Sequence, residues 1–279
     1  MAEPVSKFFK PSLKTRVLSA LLAAGLLVAT GYWAGAQGLA DLSLLVLLVG
    51  AWEYSQLVFP SPRCPAPLRW LFLLGVLIIV TTFIFNPQFL LSSLALVIVS
   101  FLSLSLALTR NQAPLEELLR TLTRSATGFL YAVILPLHAI FLLQLEGALA
   151  WFAMMLLMVF ACDTFAYFGG KWAGKTPLMP DISPKKTMEG SLSGVLGSLM
   201  MASLFWFFYF HHFSLLSLLT LGLFVAISAQ FGDLFASLLK RVAQVKDSGK
   251  LMPGHGGILD RLDGVYFAAP LVYFWALTH

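Results

Sequence analysis

Long apolar runs separated by short polar stretches dominate this chain. A helix needs roughly 20 residues to cross a bilayer, and runs near that length stand at 16–36, 41–59, 68–85, 88–108, 127–146, 148–168, 191–210, 214–238 and 264–278. The pattern predicts an all-α protein, a polytopic transmembrane helical bundle of about nine spans, with the last span the shortest. The polar stretches alternate in charge. Lys7, Lys10, Lys14 and Arg16 precede the first run, and Arg63 and Arg69 lie between the second and third. Arg110, Arg120 and Arg124 follow the fourth, Lys171, Lys175, Lys185 and Lys186 follow the sixth, and the other five basic residues lie between the eighth and ninth. The connections holding Asp41, Asn86, Glu146 and His211 carry no Lys or Arg. Because cytoplasmic loops collect Lys and Arg, the N-terminus is expected to be cytoplasmic and the C-terminus on the opposite side. The first run ends in Ala34-Gly35-Ala36, as a signal peptide can, but it exceeds the usual apolar core of roughly 7–15 residues. An uncleaved first span is expected.

Composition agrees with the pattern. Hydrophobic residues make up 59% of the 279 and charged residues 11%, far from the roughly one-quarter charged content of a soluble domain. The net charge of +5 would suggest a nucleic-acid partner in a soluble protein. Here topology and attraction to anionic headgroups account for it, so a lipid bilayer and no nucleic acid is expected. Cys64 falls in a loop and Cys162 in a span, which suggests neither a disulfide nor a thiolate metal site.

The two halves of the chain differ in kind. Residues 1–125 read as N-terminal spans with short connections, and residues 126–279 as a working half with long polar loops at 169–190 and 239–263. Pro60, Pro62, Pro65 and Pro67 mark a chain reversal. Leu115, Leu118, Leu119 and Leu122 recur at helical spacing among charged residues, as in a short amphipathic helix on the membrane surface.

Chemistry concentrates late in the sequence. The 27 positions from Ser237 to Asp263 hold Lys240, Arg241, Lys246, Lys250 and Arg261 with Asp247, Asp260 and Asp263, a mixture suited to polyphosphate and a divalent cation. Ionisable groups within spans cost several kcal/mol and mark candidate sites. Asp163 and Asp233 lie near the cytoplasmic ends of spans six and eight, Glu53 lies at similar depth in span two, and Asp260 and Asp263 share one face if the entrance to span nine is helical. Asp163, Asp233, Asp260 and Asp263 at one depth suit Mg²⁺, which takes a few carboxylates plus water and phosphate oxygens. The rival reading pairs each acid with a neighbouring Lys or Arg, and for Glu53 a structural role is the stronger expectation. Gly254, Gly256 and Gly257 around His255 permit close backbone approach and an N–H cradle for an anion, with His255 a candidate proton carrier, phosphate donor or metal ligand. Lys185, Lys186, Thr187 and Ser191 offer cations and hydroxyl donors to a phosphate.

Ser237-Leu238-Leu239-Lys240-Arg241, Lys246-Asp247-Ser248-Gly249 and His255-Gly256-Gly257-Ile258-Leu259-Asp260-Arg261-Leu262-Asp263, at this spacing, resemble the signature of the phosphatidate cytidylyltransferases (CDP-diacylglycerol synthases). Ser183 to Ser191 and Asp163-Thr164-Phe165-Ala166-Tyr167 are similar to further segments of that family, so the resemblance covers most of 150–265. Met252 and Met188 depart from its usual Leu, Ile or Phe and aromatic residues but keep apolar bulk. The resemblance implies transfer of CMP from CTP to phosphatidic acid, yielding CDP-diacylglycerol and pyrophosphate, with Mg²⁺ and a second, monovalent cation such as K⁺. It implies that Asp233 and Asp260 bind metal, with Asp247 and Asp263 orienting the basic groups or completing the metal shell, and Asp163 stays a candidate ligand from its depth. Lys240, Arg241, Lys246 and Arg261 would hold phosphates, and His255 would sit among the catalytic groups. Lys185, Lys186, Thr187, Ser191, Ser237, Asp247, Gly256 and Gly257 would contact the substrates. Such an enzyme is expected as a multi-pass protein of a bacterial inner membrane, its site facing the cytoplasm, with a homodimer left open. Two other classes remain: a transporter with buried acids, and a CTP-dependent lipid-alcohol kinase.

Overall fold

The computed structural model describes residues 13–59, 66–109, 115–249, 251–252 and 256–279. Helices account for nearly all of it. The first, α1 (Leu13–Val58), covers the first two hydrophobic runs and is broken at Gly35 (φ 62°, ψ −152°). That backbone conformation favours glycine, which has no Cβ to clash. The break therefore falls at Gly35, and Asp41 lies within the helix, accepting a hydrogen bond from Gln37 (3.0 Å). Helices α2 (Ala66–Phe85) and α3 (Leu90–Thr109) follow.

Next come α4 (Leu115–Phe129), a π-helical turn over Leu130–Ile134, and α5 (Leu135–Leu142). The amphipathic segment is thus the first part of a continuous rod rather than a separate surface helix. Pro136, which has no N–H to donate, sits at the start of α5 just after the wider turn. The C-terminal half contains α6 (Ala148–Ala173), α7 (Met188–Phe208), α8 (Leu215–Val242) and α9 (Leu259–Thr278). Between α6 and α7 lies an antiparallel hairpin, β1 (Pro177–Met179) with β2 (Ser183–Thr187). A loop, not a pair of strands, is the expectation from the residue pattern there.

Among the described residues, seven helices are long and apolar enough to cross a membrane. Two of the nine hydrophobic runs share α1, on either side of the break at Gly35, and α9 lies outside the set. The protein is a multi-pass, helical membrane protein.

Two packing features place the site. Tyr131, fully enclosed in the π-helical turn, meets Tyr54 of α1, Phe235 of α8 and Tyr266 of α9 at centroid distances of 6.1, 5.0 and 5.7 Å. One aromatic core therefore ties the N-terminal helices to those carrying the late charges. The second feature is the α6–α7 seam, where Gly190, Gly194 and Gly197 face α6. A Cβ on Gly194 would lie 2.9 Å from the Cys162 carbonyl and 3.1 Å from the Ala166 Cβ, closer than ordinary contact. Small residues permit this approach in a bilayer, where helix association relies on van der Waals fit. Gly194→Leu is expected to cost about 1–3 kcal/mol by overpacking. A thermal midpoint in detergent unchanged from wild type would contradict that account.

Candidate active site

The charged positions of the C-terminal half converge on one cavity of about 1220 Å³. From α8, Gln230, Asp233 and Lys240 reach it, spaced so that one helical face presents all three. Asp163 enters from α6, Lys185, Lys186 and Thr187 from β2, Ser191 from α7, and Asp260, Arg261 and Asp263 from α9. Asp247 reaches it from the loop after α8. Apolar side chains share the lining, among them Ala20, Ala23, Ala24 and Leu27 of α1 and Phe160 of α6. The cavity thus combines charged groups with hydrocarbon.

Local interactions hold each group in place. Thr187 caps α7 by accepting a hydrogen bond from the Gly190 N–H (3.2 Å). Glu189 accepts from the Lys175 and Thr176 N–H groups (3.0 and 3.2 Å), closing the hairpin onto the helix start. Gln230 clasps Ser191: its Oε1 accepts from Ser191 Oγ, and its Nε2 donates to the Ser191 carbonyl (3.1 Å). An uncharged amide so placed has no signature in the sequence beyond its position one turn before Asp233.

Two lysines meet two of the acids. Lys186 Nζ lies 2.5 Å from Asp233 Oδ2, and Lys240 Nζ lies 2.6 Å from Asp260 Oδ1. The ion pairs of the rival reading are therefore present at both positions, and they stand on the cavity wall. Asp260 is engaged on its other oxygen as well: Oδ2 accepts from the Ser248 N–H (2.7 Å), Ser248 Oγ (2.9 Å) and the Gly257 N–H (3.0 Å). Burial raises the pKa of this carboxyl, but Lys240 and the Ser248 and Gly257 amides outweigh burial and hold it below its ordinary value. Asp263 is nearly enclosed, at 6% exposure, and its Oδ1 accepts from the Gly264 N–H (2.8 Å).

The glycine loop does make the close approaches expected of it, but to the protein's own carboxylates. Gly256 has φ 86° and pairs with Met252 through two backbone hydrogen bonds (2.9 and 3.2 Å). Gly249 and Gly257 lie against Glu53, where added Cβ atoms would collide with its carboxylate. Glu53, itself 4% exposed, accepts from the Leu259 N–H (3.0 Å) and from Ser248 Oγ (3.3 Å). A backbone amide and a hydroxyl thus stand where a Lys or Arg was the expected partner.

Other sequence candidates lie apart from the cavity lining. Arg241 donates from Nε to the Ile182 carbonyl (3.2 Å), pinning α8 to the hairpin. Ser237 sits one turn after Asp233 on α8, with its hydroxyl 3.5 Å from Asp233 Oδ1. Lys246, Gly256 and Gly257 belong to the loop that frames the cavity rather than to its wall. His255 and Lys250 lie outside the described residues.

Among the described residues, no three acidic, histidine or cysteine side chains gather into a ready-made metal cage. Mg²⁺ typically takes one or two carboxylates and completes its octahedron with water and phosphate oxygens. Asp233 and Asp263, carboxylates of adjoining helices on one cavity, suit that role. Their helices touch here, with Gly232 against the Asp263 backbone carbonyl.

Several known proteins are similar to this chain. A phosphatidate cytidylyltransferase of Synechocystis sp. is 50% identical over 129 residues, covering 44% of this chain and 43% of that protein. One from Bacillus subtilis is 44% identical over 117 residues, covering 42% and 44%. One from Rickettsia bellii is 37% identical over 147 residues, covering 50% and 64%. The aligned stretches thus span about half the length of these relatives. The cytidylyltransferase family as a whole matches residues 14–278, from the first apolar helix to the end of the last, and on that match the chain belongs to the cytidylyltransferase family.

Proposed function

We propose that this protein transfers CMP from CTP to phosphatidic acid, forming CDP-diacylglycerol and pyrophosphate. The observation that carries this reading is the mixed lining of the cavity, in which lysines and aspartates are gathered with alanine and leucine side chains. An anionic lipid and a nucleoside triphosphate are the reactants that such a surface fits. Family membership and the relatives named phosphatidate cytidylyltransferase support it.

A phosphate oxygen of phosphatidic acid attacks the α-phosphorus of CTP, and the bond from that phosphorus to the oxygen bridging to the β-phosphorus breaks, releasing pyrophosphate. The lipid supplies its own oxyanion, so no protein nucleophile is required. The protein's part is positioning and neutralisation of charge. Lys186 and Lys240 present ammonium groups to the triphosphate, with Lys185 and Arg261 in the same lining. Asp233 and Asp263 would hold Mg²⁺, which supplies Lewis-acid stabilisation of phosphoryl oxygens when bound. Asp260 keeps Lys240 and the glycine loop in register. The uneven placement of Lys and Arg supports a cytoplasmic face for the site, within a bacterial inner membrane.

Purified protein in detergent is expected to release pyrophosphate only when CTP, Mg²⁺ and phosphatidic acid are all present, with stoichiometric CDP-lipid and complete loss on chelation. Formation of CDP together with a phosphorylated lipid alcohol would replace this reading with a kinase.

A further inference from the structure

Glu53 comes from α1, about 200 residues before the charged motif it touches. Its carboxylate Oε2 receives the Leu259 N–H at 3.0 Å and Ser248 Oγ at 3.3 Å. Gly249 and Gly257 bring the backbone of the loop directly against it. The same Ser248 hydroxyl lies 2.9 Å from Asp260 Oδ2, so one proton serves two carboxylates. Leu259 is the first residue of α9, where the first N–H groups of a helix have no acceptor within it. Glu53 provides that acceptor from a different helix, and its negative charge suits the positive end of the helix dipole.

We infer that Glu53 is a positioning residue for the proposed CMP transfer: it fixes the start of α9 together with Ser248, Gly249 and Gly257, and through them the orientation of Asp260, Arg261 and Asp263. The inference rests on the reading of the cavity as the transfer site. Its geometric content is that the N-terminal half of the chain holds the charged motif in its working shape. The side chain is enclosed, outside the cavity lining, so it acts through the loop rather than on substrate.

The test compares Glu53→Ala, Glu53→Gln and Ser248→Ala with wild type in two measurements. In Glu53→Ala, kcat for CDP-lipid formation is expected to fall about 10²-fold, as small displacements of reacting groups do, while KM for CTP and for phosphatidic acid changes less than about threefold. Hydrogen exchange at the amides of 256–260 is expected to quicken, with the amides of α6 and α7 unchanged. Glu53→Gln keeps an oxygen acceptor for Leu259 and is expected to retain at least about a tenth of wild-type kcat. Ser248→Ala removes the shared hydroxyl and is expected to fall between the two. Wild-type kcat in Glu53→Ala would overturn the inference. So would exchange that quickens equally in every helix, because Glu53 would then serve the fold at large. If wild-type protein makes no CDP-lipid, the transfer reading fails, and local exchange in Glu53→Ala still decides whether Glu53 holds the loop.

Discussion

Asp260→Ala is expected to lower thermal stability in detergent by about 3–5 kcal/mol, the usual cost of removing one partner from an enclosed ion pair, and to lower CMP transfer by at least about 10³-fold. Asp260 and Lys240 have side-chain exposures of 6% and 18%, so the lysine left behind is a poorly solvated, unmatched charge. The Ser248 and Gly257 amides lose their acceptor at the same time, and each enclosed donor without a partner adds about 1–3 kcal/mol unless water reaches it. Asp260→Asn separates the two effects. Its amide oxygen still accepts from the loop, so most of the stability is expected to return, whereas the charge opposite Lys240 does not. Activity should therefore remain low in Asn while the melting midpoint recovers. A wild-type midpoint in Asp260→Ala would show that Asp260 does not organise this loop.

The cavity's charged residues were legible because the chain is otherwise apolar. Asp163 and Asp233 are costly in a span, Asp260 and Asp263 stand at the entrance to one, and a carboxylate is kept at such depth only for something that pairs with it or uses it. The spacing of Gln230, Asp233 and Lys240 is itself enough to put them on one face of a helix. Partners distant in sequence were not legible. Glu53 is separated from Leu259 by 206 positions, and no periodicity links them. A buried carboxylate in a span leads one to expect a cation beside it, whereas the donors to Glu53 are a hydroxyl and a backbone amide. Gln230 carries no charge to mark it out.

Backbone chemistry explains the other differences. Asp41 reads as a loop residue because it interrupts a hydrophobic run, yet one polar residue that finds Gln37 a turn away stays within a helix. Gly35 breaks α1 because its backbone adopts a positive φ. The hairpin at Pro177–Met179 and Ser183–Thr187 is too short and polar to show strand alternation. It is held by contacts with Arg241 and Glu189 that belong to other elements.

Asp263→Asn is expected to act in the opposite sense to Asp260→Ala on stability while also abolishing most activity. The Asp263 carboxylate is 6% exposed and shares the cavity with Asp233 and Asp163. Like charges brought together away from water destabilise a fold. Asparagine preserves the short acceptor contact with the Gly264 N–H (2.8 Å) and removes the enclosed charge. The melting midpoint should therefore stay level or rise. If Asp233 and Asp263 hold Mg²⁺ between helices α8 and α9, the same change removes half of the protein's contribution to that ion. Transfer should then fall about 10²–10³-fold, the scale seen when one electrostatic stabiliser is lost, and more Mg²⁺ should be needed to reach half of the residual rate. Functional sites characteristically give up stability in this way, keeping groups that a purely structural optimum would replace. A fall in midpoint that matches the fall in activity would show instead that Asp263 is a structural charge satisfied by its surroundings. The metal would then have to be assigned to Asp233 with Asp163.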